Sequence, residues 1–164
     1  MAIIEPSDGR GRFKDPLTVV SQVGIKTRGS STGGRSKSSL SMEMQDEFGQ
    51  DKNLSLIGMP NESDWVLWGP YNFDLTLMHN PFIFELSRQI GRYAPRTRFV
   101  ELYMNTGGGA LSTADYYGVY ALMEKIDRDS DRVDVEKIFS DYKSSPEVSG
   151  GYILKIDRAD PGDS

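Results

Sequence analysis

Hydrophobic and polar residues alternate in several stretches of the chain, a pattern typical of β-strands with one buried face. The clearest case is residues 38–45, where Leu40, Met42 and Met44 alternate with polar positions. Residues 96–105 alternate similarly, and residues 17–29 and 116–127 are rich in β-branched or aromatic side chains. We therefore predict two β-hairpins. One surrounds a glycine- and hydroxyl-rich loop at residues 30–36, and the other surrounds the loop "TGGGALSTAD".

Residues 74–95 carry the best helical pattern of the sequence. Asp74 or Thr76 can cap the helix, Pro81 suits its first turn, and Gly91 can end it. Its start is therefore predicted between residues 75 and 81. The apolar residues at mixed helical spacings are Leu77, Phe82, Phe84, Leu86 and Ile90.

The remaining segments have weaker patterns. Residues 1–16 are predicted to be an irregular arm, and residues 52–74 short extended pieces and turns anchored by Trp65 and Trp68. Core packing of these tryptophans is favoured over base stacking. Residues 128–143 have a weak helical period, and residues 150–158 predict a last short strand. The predicted fold class is α+β, an antiparallel sheet with one main packed helix.

Composition narrows the possible chemistry. The 164 residues contain no cysteine, which excludes disulfides, thiolate zinc sites and cysteine nucleophiles. A single histidine, His79, argues against a histidine metal site or a His-dependent triad. No apolar run approaches the roughly 20 residues of a membrane-spanning helix, and no signal peptide is visible. We expect no membrane span.

Charge is distributed unevenly along the chain. Residues 1–40 contain seven Lys or Arg and three Asp or Glu, a net charge of +4, which leaves −9 for the rest of a chain whose total is −5. A basic glycine-rich segment on an acidic body suits a phosphate ligand. It gives little support for binding nucleic acid, which requires a broad basic face.

The first hairpin loop carries the candidate chemistry. Glycines at residues 29–34 would let backbone N–H groups approach phosphate oxygens, and Lys37 at the start of the second strand could reach those phosphates. Glu85 on the helix could then hold the lysine, as in the small lobe of protein kinases. The sequence contains neither GxGxxG nor the P-loop motif. A mobile hairpin with a solvated lysine is therefore the alternative interpretation.

An ordered set of motifs resembles the CotH kinase-like family over roughly residues 20–158. The matching text is "VGIKTRGSS", Lys37 with Ser39, "DEFG", the long stretch from "SDWVLWGPYNFD" to "APRTRFVELYMN", "YYGVYALMEKIDRD" and "GGYILKIDR". Each piece is unspecific, but their order is specific.

The resemblance implies an atypical protein kinase that uses ATP and Mg²⁺ to phosphorylate Ser hydroxyls of coat or surface proteins, in the spore coat or at the cell surface. It implies a kinase-type small lobe with an incomplete start of the large lobe. We accordingly divide the chain into an arm (1–16), a partial kinase-like domain (17–158) and a truncated tail (159–164). The site residues that the resemblance implies are Arg28, Gly29, Ser30 and Ser31 for the phosphates, Lys37 with its partner Glu85, and Met123 and Glu124 in a connector (121–125) whose backbone binds adenine.

The resemblance also implies that the catalytic and metal-binding aspartates lie downstream, so we assign none in this chain and expect it to be inactive alone. The acidic run "DRDSDRVD" is interpreted as a solvated linker rather than a calcium loop. A small lobe that is separated from its large lobe should expose an apolar patch, and we expect this chain to self-associate through that patch.

Departures from the family pattern keep other functions open. Leu40 and Ser41 replace aromatic and basic residues, His79 replaces an arginine, and residues 106–115 lengthen a hairpin that is short in most members. These changes favour a non-catalytic coat or surface protein that binds partners with a kinase-like fold. A glycan-binding domain would instead expose its tryptophans and tyrosines on one face.

Overall fold

A computed structural model of the protein describes residues 1–6, 8–29, 35–69 and 73–154. The chain divides into two compact units, Met1–Lys125 and Ile126–Ser164. The strands and the helix all lie in the first unit, and in chain order they are β1 (Ala2–Ile3), β2 (Val19–Val20), β3 (Gln22–Arg28), β4 (Ser39–Gln45), β5 (Asp64–Trp68), α1 (His79–Gln89), β6 (Thr97–Tyr103) and β7 (Tyr116–Glu124).

The main sheet has five strands in the order β3-β4-β5-β7-β6, and every neighbouring pair is antiparallel. The first hairpin pairs β3 with β4 from Gln22↔Gln45 to Arg28↔Ser39, and the second pairs β6 with β7. Both predicted hairpins are confirmed, as is the α+β class. The N-terminal arm, predicted to be irregular, contains β1, which pairs with β2 in a separate two-stranded sheet.

One face of the main sheet, here called the core face, forms the hydrophobic core. The alternating residues of β4 lie there beside residues of β5 and β7, and segments 1–20 and 46–63 supply the side chains that cover them. The fully buried members include Met44, Leu56, Trp65 and Tyr120. Because side chains of a strand alternate between faces, the intervening residues lie on the opposite face, here called the cleft face.

Strand β5 occupies the middle of the sheet, where the sequence predicted only short extended pieces. Trp65, Val66 and Leu67 are all buried, because both faces of this strand are covered. A strand buried on both faces has no hydrophobic alternation, which explains why the pattern did not reveal it. Trp65 and Trp68 belong to this strand, and Trp65 lies in the core as expected.

Gly69 follows β5 at a point of very close packing. A Cβ atom built on Gly69 would lie 2.4 Å from Cε1 of Tyr120. The Tyr120 hydroxyl donates a 3.2 Å hydrogen bond to the Ser38 carbonyl, and the Gly69 N–H donates a 3.1 Å bond to Ser39 Oγ. These contacts join the start of β4 to the end of β5 and to β7. They are possible because residue 69 is a glycine, which has no side chain.

Helix α1 ends as the sequence predicted but packs less than expected. Gly91, at a φ of +78°, donates to the Arg88 carbonyl and closes the helix. Pro81 lies in the first turn, and it is the buried residue of the helix. The expectation of a packed helix is therefore wrong for most of its apolar side, because the described residues leave four large side chains exposed: Phe82, Ile83, Leu86 and Ile90.

The described part of the second unit, residues 126–154, contains no helix or strand. It has turns, an isolated bridge between Arg128 and Val133, and an edge-on contact of the Phe139 and Tyr142 rings at 5.3 Å. The weak helix predicted at residues 128–143 is wrong, because dense charge and a weak period do not define an apolar stripe. The last strand is not formed at residues 150–154, and its remainder lies outside the described residues.

Candidate functional site

A cleft of about 280 Å³ opens on the cleft face of the sheet. Its volume lies near the lower end of the range of roughly 300–1,000 Å³ that is usual for ligand sites. The lining residues come from β3 and its end, β4, β5, β7 and the start of α1: Arg28, Gly29, Ser39, Val66, Trp68, Asn80 and Met123.

Strand register explains why these residues meet. Val66 pairs with Ser41 on one side and with Met123 on the other, so their side chains form a row across the cleft face. Arg28 pairs with Ser39 in the next row. Trp68 reaches the same row, since its neighbour Leu67 pairs with Leu40. Adjacent strands lie about 4.8 Å apart, so the cleft spans neighbouring strands of the sheet.

The cleft combines an apolar floor with polar groups at its rim. Val66 and Met123 are buried and form the floor, and the partly exposed indole of Trp68 forms a wall. Arg28 is exposed and makes no ion pair with any described residue, and the side-chain amide of Asn80 is likewise unpaired within the described chain. A planar apolar group with an attached anion fits this chemistry.

The start of helix α1, which carries Asn80, is fixed by the buried carboxylate of Asp74. Its Oδ2 accepts a 2.8 Å hydrogen bond from the His79 N–H, and its Oδ1 accepts from Thr76. Burial opposes ionisation of Asp74, but these hydrogen bonds and the nearby His79 hold the pKa of Asp74 below its ordinary value. The predicted helix cap at Asp74 is wrong in position, because the N-cap is Met78, whose side chain makes no cap hydrogen bond. Asp74 instead binds the N–H of the first helical residue, next to Asn80, from outside the helix.

Of the predicted phosphate-loop residues, the structure describes two. Arg28 ends β3, and Gly29 follows it at a φ of +95°, a left-handed conformation that favours glycine. Both line the cleft. Ser30 and Ser31 lie outside the described residues, so their predicted role stays a prediction.

Lys37 lies away from the cleft lining. Its Nζ is 4.9 Å from the centre of the Tyr120 ring, a cation–π contact with a core residue. Partial burial lowers the pKa of Lys37. The ammonium therefore approaches the core side of the sheet rather than the cleft face.

Glu85 is exposed on helix α1 and has partners within its own helix. Its carboxylate accepts hydrogen bonds from Arg88 and from Gln89 Nε2, the latter at 3.1 Å. These bonds, with the charge of Arg88, lower the pKa of Glu85. No ion pair joins Lys37 to Glu85, both of which are described, so the structure does not bring this predicted pair together.

The predicted connector falls inside strand β7. Residues 121–124 are bordered by β5 and β6, so their backbone groups belong to the sheet. The Glu124 N–H donates to the Arg96 carbonyl at 3.3 Å, which differs from the adenine contact expected of it. Met123 does reach the cleft, but through its side chain.

Glu124 has a structural partner that accounts for its burial. Its carboxylate is fully buried and accepts bonds from Arg96 Nη1 at 2.6 Å and from the Arg96 N–H at 2.8 Å. The pair joins the end of β7 to the residue before β6. This ion pair borders the cleft through the neighbouring residue Met123.

Sequence reasoning missed four lining residues: Ser39, Val66, Trp68 and Asn80. A usable signal existed for two of them, because Val66 and Trp68 stand two residues apart in "DWVLW" and so share one face of a strand. Nothing local marks Asn80, whose place at the cleft depends on where its helix starts.

Two negative findings apply to the described ranges. Within residues 1–6, 8–29, 35–69 and 73–154, no group of three or more His, Cys, Asp or Glu side chains could hold a metal ion. No helix in these ranges is long and apolar enough to cross a membrane. We assign none of the described residues to Mg²⁺.

The fold and cleft together define an α+β protein whose antiparallel sheet has a small cleft on one face. A family model described as CotH kinase protein matches residues 25–163, and the chain belongs to this family. No curated protein and no solved structure matches it significantly. The resemblance found in the sequence motifs is therefore confirmed at the level of the family.

Proposed function

We propose that the cleft is the nucleotide site of a CotH-type protein kinase, and that it binds ATP with the base on the apolar floor and the phosphates near Arg28. The supporting observation is the composition of the cleft. Buried Val66 and Met123 lie beside the Trp68 indole. At the rim stand a guanidinium and an amide that have no partner among the residues the structure describes. Membership of the CotH kinase family supports ATP as the ligand.

The reaction proposed for the family fold is phosphoryl transfer to a protein Ser hydroxyl. The Ser oxygen bonds to the γ-phosphorus of ATP while the bond from that phosphorus to the bridging oxygen breaks, which yields phosphoserine, ADP and a proton. We assign this chain the binding and orientation of ATP. No catalytic base or metal ligand is assigned to its described residues.

The size of the cleft is consistent with its holding one part of the nucleotide while another part lies at the rim. A volume of about 280 Å³ suits a nucleobase better than a whole triphosphate. The phosphates would then extend toward the rim, where Gly29 brings the backbone close and Arg28 offers a planar, bidentate donor.

Titration calorimetry of the full chain with ATP and Mg²⁺ tests the proposal. Arg28→Ala should weaken ATP binding about tenfold or more, because a charge-assisted contact is lost. Arg92→Ala is the matched control, since Arg92 is also exposed but lies outside the cleft lining. Saturable ATP binding that Arg28→Ala weakens and Arg92→Ala does not would support the proposal. Equal loss in both variants, or no binding by a folded chain, would contradict it.

A non-catalytic coat or surface protein that binds other proteins is the second candidate. The observation that favours it is the exposed apolar side of α1, formed by Phe82, Ile83, Leu86 and Ile90. Exposed apolar patches mark interaction surfaces. This candidate predicts that the cleft takes no nucleotide, so the same titration separates the two functions.

A further inference from the structure

We propose that Lys26, acting with Arg28, supplies the positive charge that binds the phosphate groups of the nucleotide, a role that the sequence motifs give to Lys37. This inference rests on the proposed function, since it names the phosphate-binding residues of the same site. It concerns binding and includes no covalent step.

Strand geometry places Lys26 on the cleft face. Lys26 and Arg28 are two residues apart on β3, so their side chains leave the same face of the sheet. Arg28 lines the cleft. Val23, which is an odd number of residues away from both, packs against the core on the other face.

The row that contains Lys26 is also the row of the cleft floor. Lys26 pairs with Ser41, Ser41 with Val66, and Val66 with Met123. Lys26 is thus two strands, about 10 Å at the backbone, from the floor residue Val66. Ser41 is the small residue between them, and a lysine has a flexible four-carbon stem. Its ammonium can therefore extend over Ser41 toward a ligand that lies on Val66.

The positive charge of this strand is not neutralised by the described residues. Lys26 and Arg28 are exposed and have no ion pair or hydrogen-bond partner for their side chains. The nearby acids of the same face have other contacts: Glu43 accepts from Gln45 Nε2 at 3.3 Å, and Asp64 accepts from Lys125 Nζ at 2.8 Å. Two unpaired cations about 7 Å apart along a strand can contact one chain of two or three phosphate groups.

Lys37 is in the opposite situation. Its ammonium lies over the buried ring of Tyr120, and it is 3.7 Å from the position that a Cβ of Gly118 would occupy. Tyr120 belongs to the core. To reach the cleft, Lys37 would have to leave this contact and move to the other face of the sheet, whereas the side chain of Lys26 already lies on the cleft face.

A phosphate series tests the assignment. Adenosine, AMP, ADP and ATP are titrated in one Mg²⁺-containing buffer into the wild-type full chain and into four variants: Lys26→Met, Lys26→Arg, Lys37→Met and Lys52→Met. Lys52 is an exposed lysine of the segment that covers the core face, so it serves as the matched control. Urea unfolding of each variant verifies that it is folded.

We expect wild-type affinity to rise from adenosine to ATP. Lys26→Met should lower ATP affinity about tenfold or more and leave adenosine affinity unchanged, which a general loss of structure would not do. Lys26→Arg should keep most of the increase in affinity from adenosine to ATP. The Lys37 and Lys52 variants should bind all four ligands as tightly as wild type does.

Two results would overturn the inference in distinguishable ways. If wild type binds ATP and the affinity rise survives in Lys26→Met but is lost in Lys37→Met, the lysine assignment is wrong while the proposed function stands. If folded wild type binds none of the four ligands, the proposed function fails and this inference fails with it.

Discussion

The buried ion pair of Arg96 and Glu124 permits a quantitative prediction about what holds the sheet together beside the cleft. Arg96→Met removes the guanidinium but keeps the apolar stem of the side chain. Among the described residues, the Glu124 carboxylate, which has no exposure, then keeps the 2.8 Å bond from the backbone N–H of residue 96. The substitution therefore leaves a buried negative charge without its counter-ion.

The size of the effect follows from this geometry. Removing one partner of a buried ion pair costs about 3–5 kcal/mol, because the remaining charge stays desolvated. The Arg96 side chain is 29% exposed and the backbone bond to Glu124 survives, so we expect the lower end, about 3 kcal/mol. With a urea m-value of about 1–3 kcal/mol per molar, the midpoint should fall by about 1–3 M.

Urea unfolding followed by circular dichroism measures this loss, and a second substitution gives the decisive comparison. Glu124→Gln removes the buried charge but keeps an oxygen acceptor for the N–H of residue 96. The double variant Arg96→Met/Glu124→Gln should be about 1–2 kcal/mol more stable than Arg96→Met alone, because no unpaired charge remains. Arg92→Met, at an exposed arginine, should change stability by less than about 0.5 kcal/mol.

The reasoning would be refuted if Arg96→Met lowered the free energy of unfolding by less than about 1 kcal/mol, as for a surface pair. It would also be refuted if adding Glu124→Gln failed to recover stability, since the desolvated carboxylate would then not be the source of the cost. A confirmed result identifies the pair as the support for the end of β7, where Met123 meets the cleft.

Three further predictions test other parts of the structure. Gly69→Ala should destabilise the fold by about 1–3 kcal/mol in urea unfolding, because the new methyl group would meet Tyr120 at 2.4 Å; an unchanged midpoint would contradict that contact. Asp74→Asn should lower the free energy of unfolding above about pH 5. The difference from wild type should vanish as the pH falls through the depressed pKa of Asp74, below its ordinary 3.8, since protonation then removes the same carboxylate. A difference that is independent of pH would contradict the role of this carboxylate at the start of α1. Phe82→Lys should weaken concentration-dependent self-association in sedimentation velocity, because Phe82 is 59% exposed; a wild-type chain that stays monomeric at high concentration would contradict an adhesive apolar surface.

The parts of the fold that sequence patterns predicted well are those with one buried face. Strand β4 alternates Leu40, Met42 and Met44, all of which are buried in the structure, and this alternation predicted both the strand and its core face. The helix was located through Asp74 and Gly91, which are residue types that mark helix ends. The Asp74 carboxylate binds a backbone N–H at the start of α1, and the Gly91 N–H binds a carbonyl at its end. These signals depend on neighbouring residues, so a single sequence contains them.

The parts that were missed depend on long-range contacts. Strand β5 is buried on both faces and gives no alternation. The exposed side of α1 has the same apolar spacing as a packed helix, so spacing alone could not distinguish the two. Within the site, Lys37 precedes β4, so the alternation of side chains along a strand does not predict its direction. Lys37 contacts Tyr120, which is 83 positions away in the sequence, so no local pattern indicates this contact.

The measurement that tests the central claim most directly is a two-dimensional NMR titration of the ¹⁵N-labelled chain with ATP and Mg²⁺. The two tryptophans provide internal probes on opposite faces: Trp68 lines the cleft, and the buried Trp65 donates its indole N–H to the Glu62 carbonyl at 2.9 Å. The account predicts saturable shifts of the Trp68 indole and the Asn80 side-chain amide, with the Trp65 indole unchanged. Absence of shifts at saturating ATP, or shifts of Trp65 without Trp68, would contradict a nucleotide site on this face.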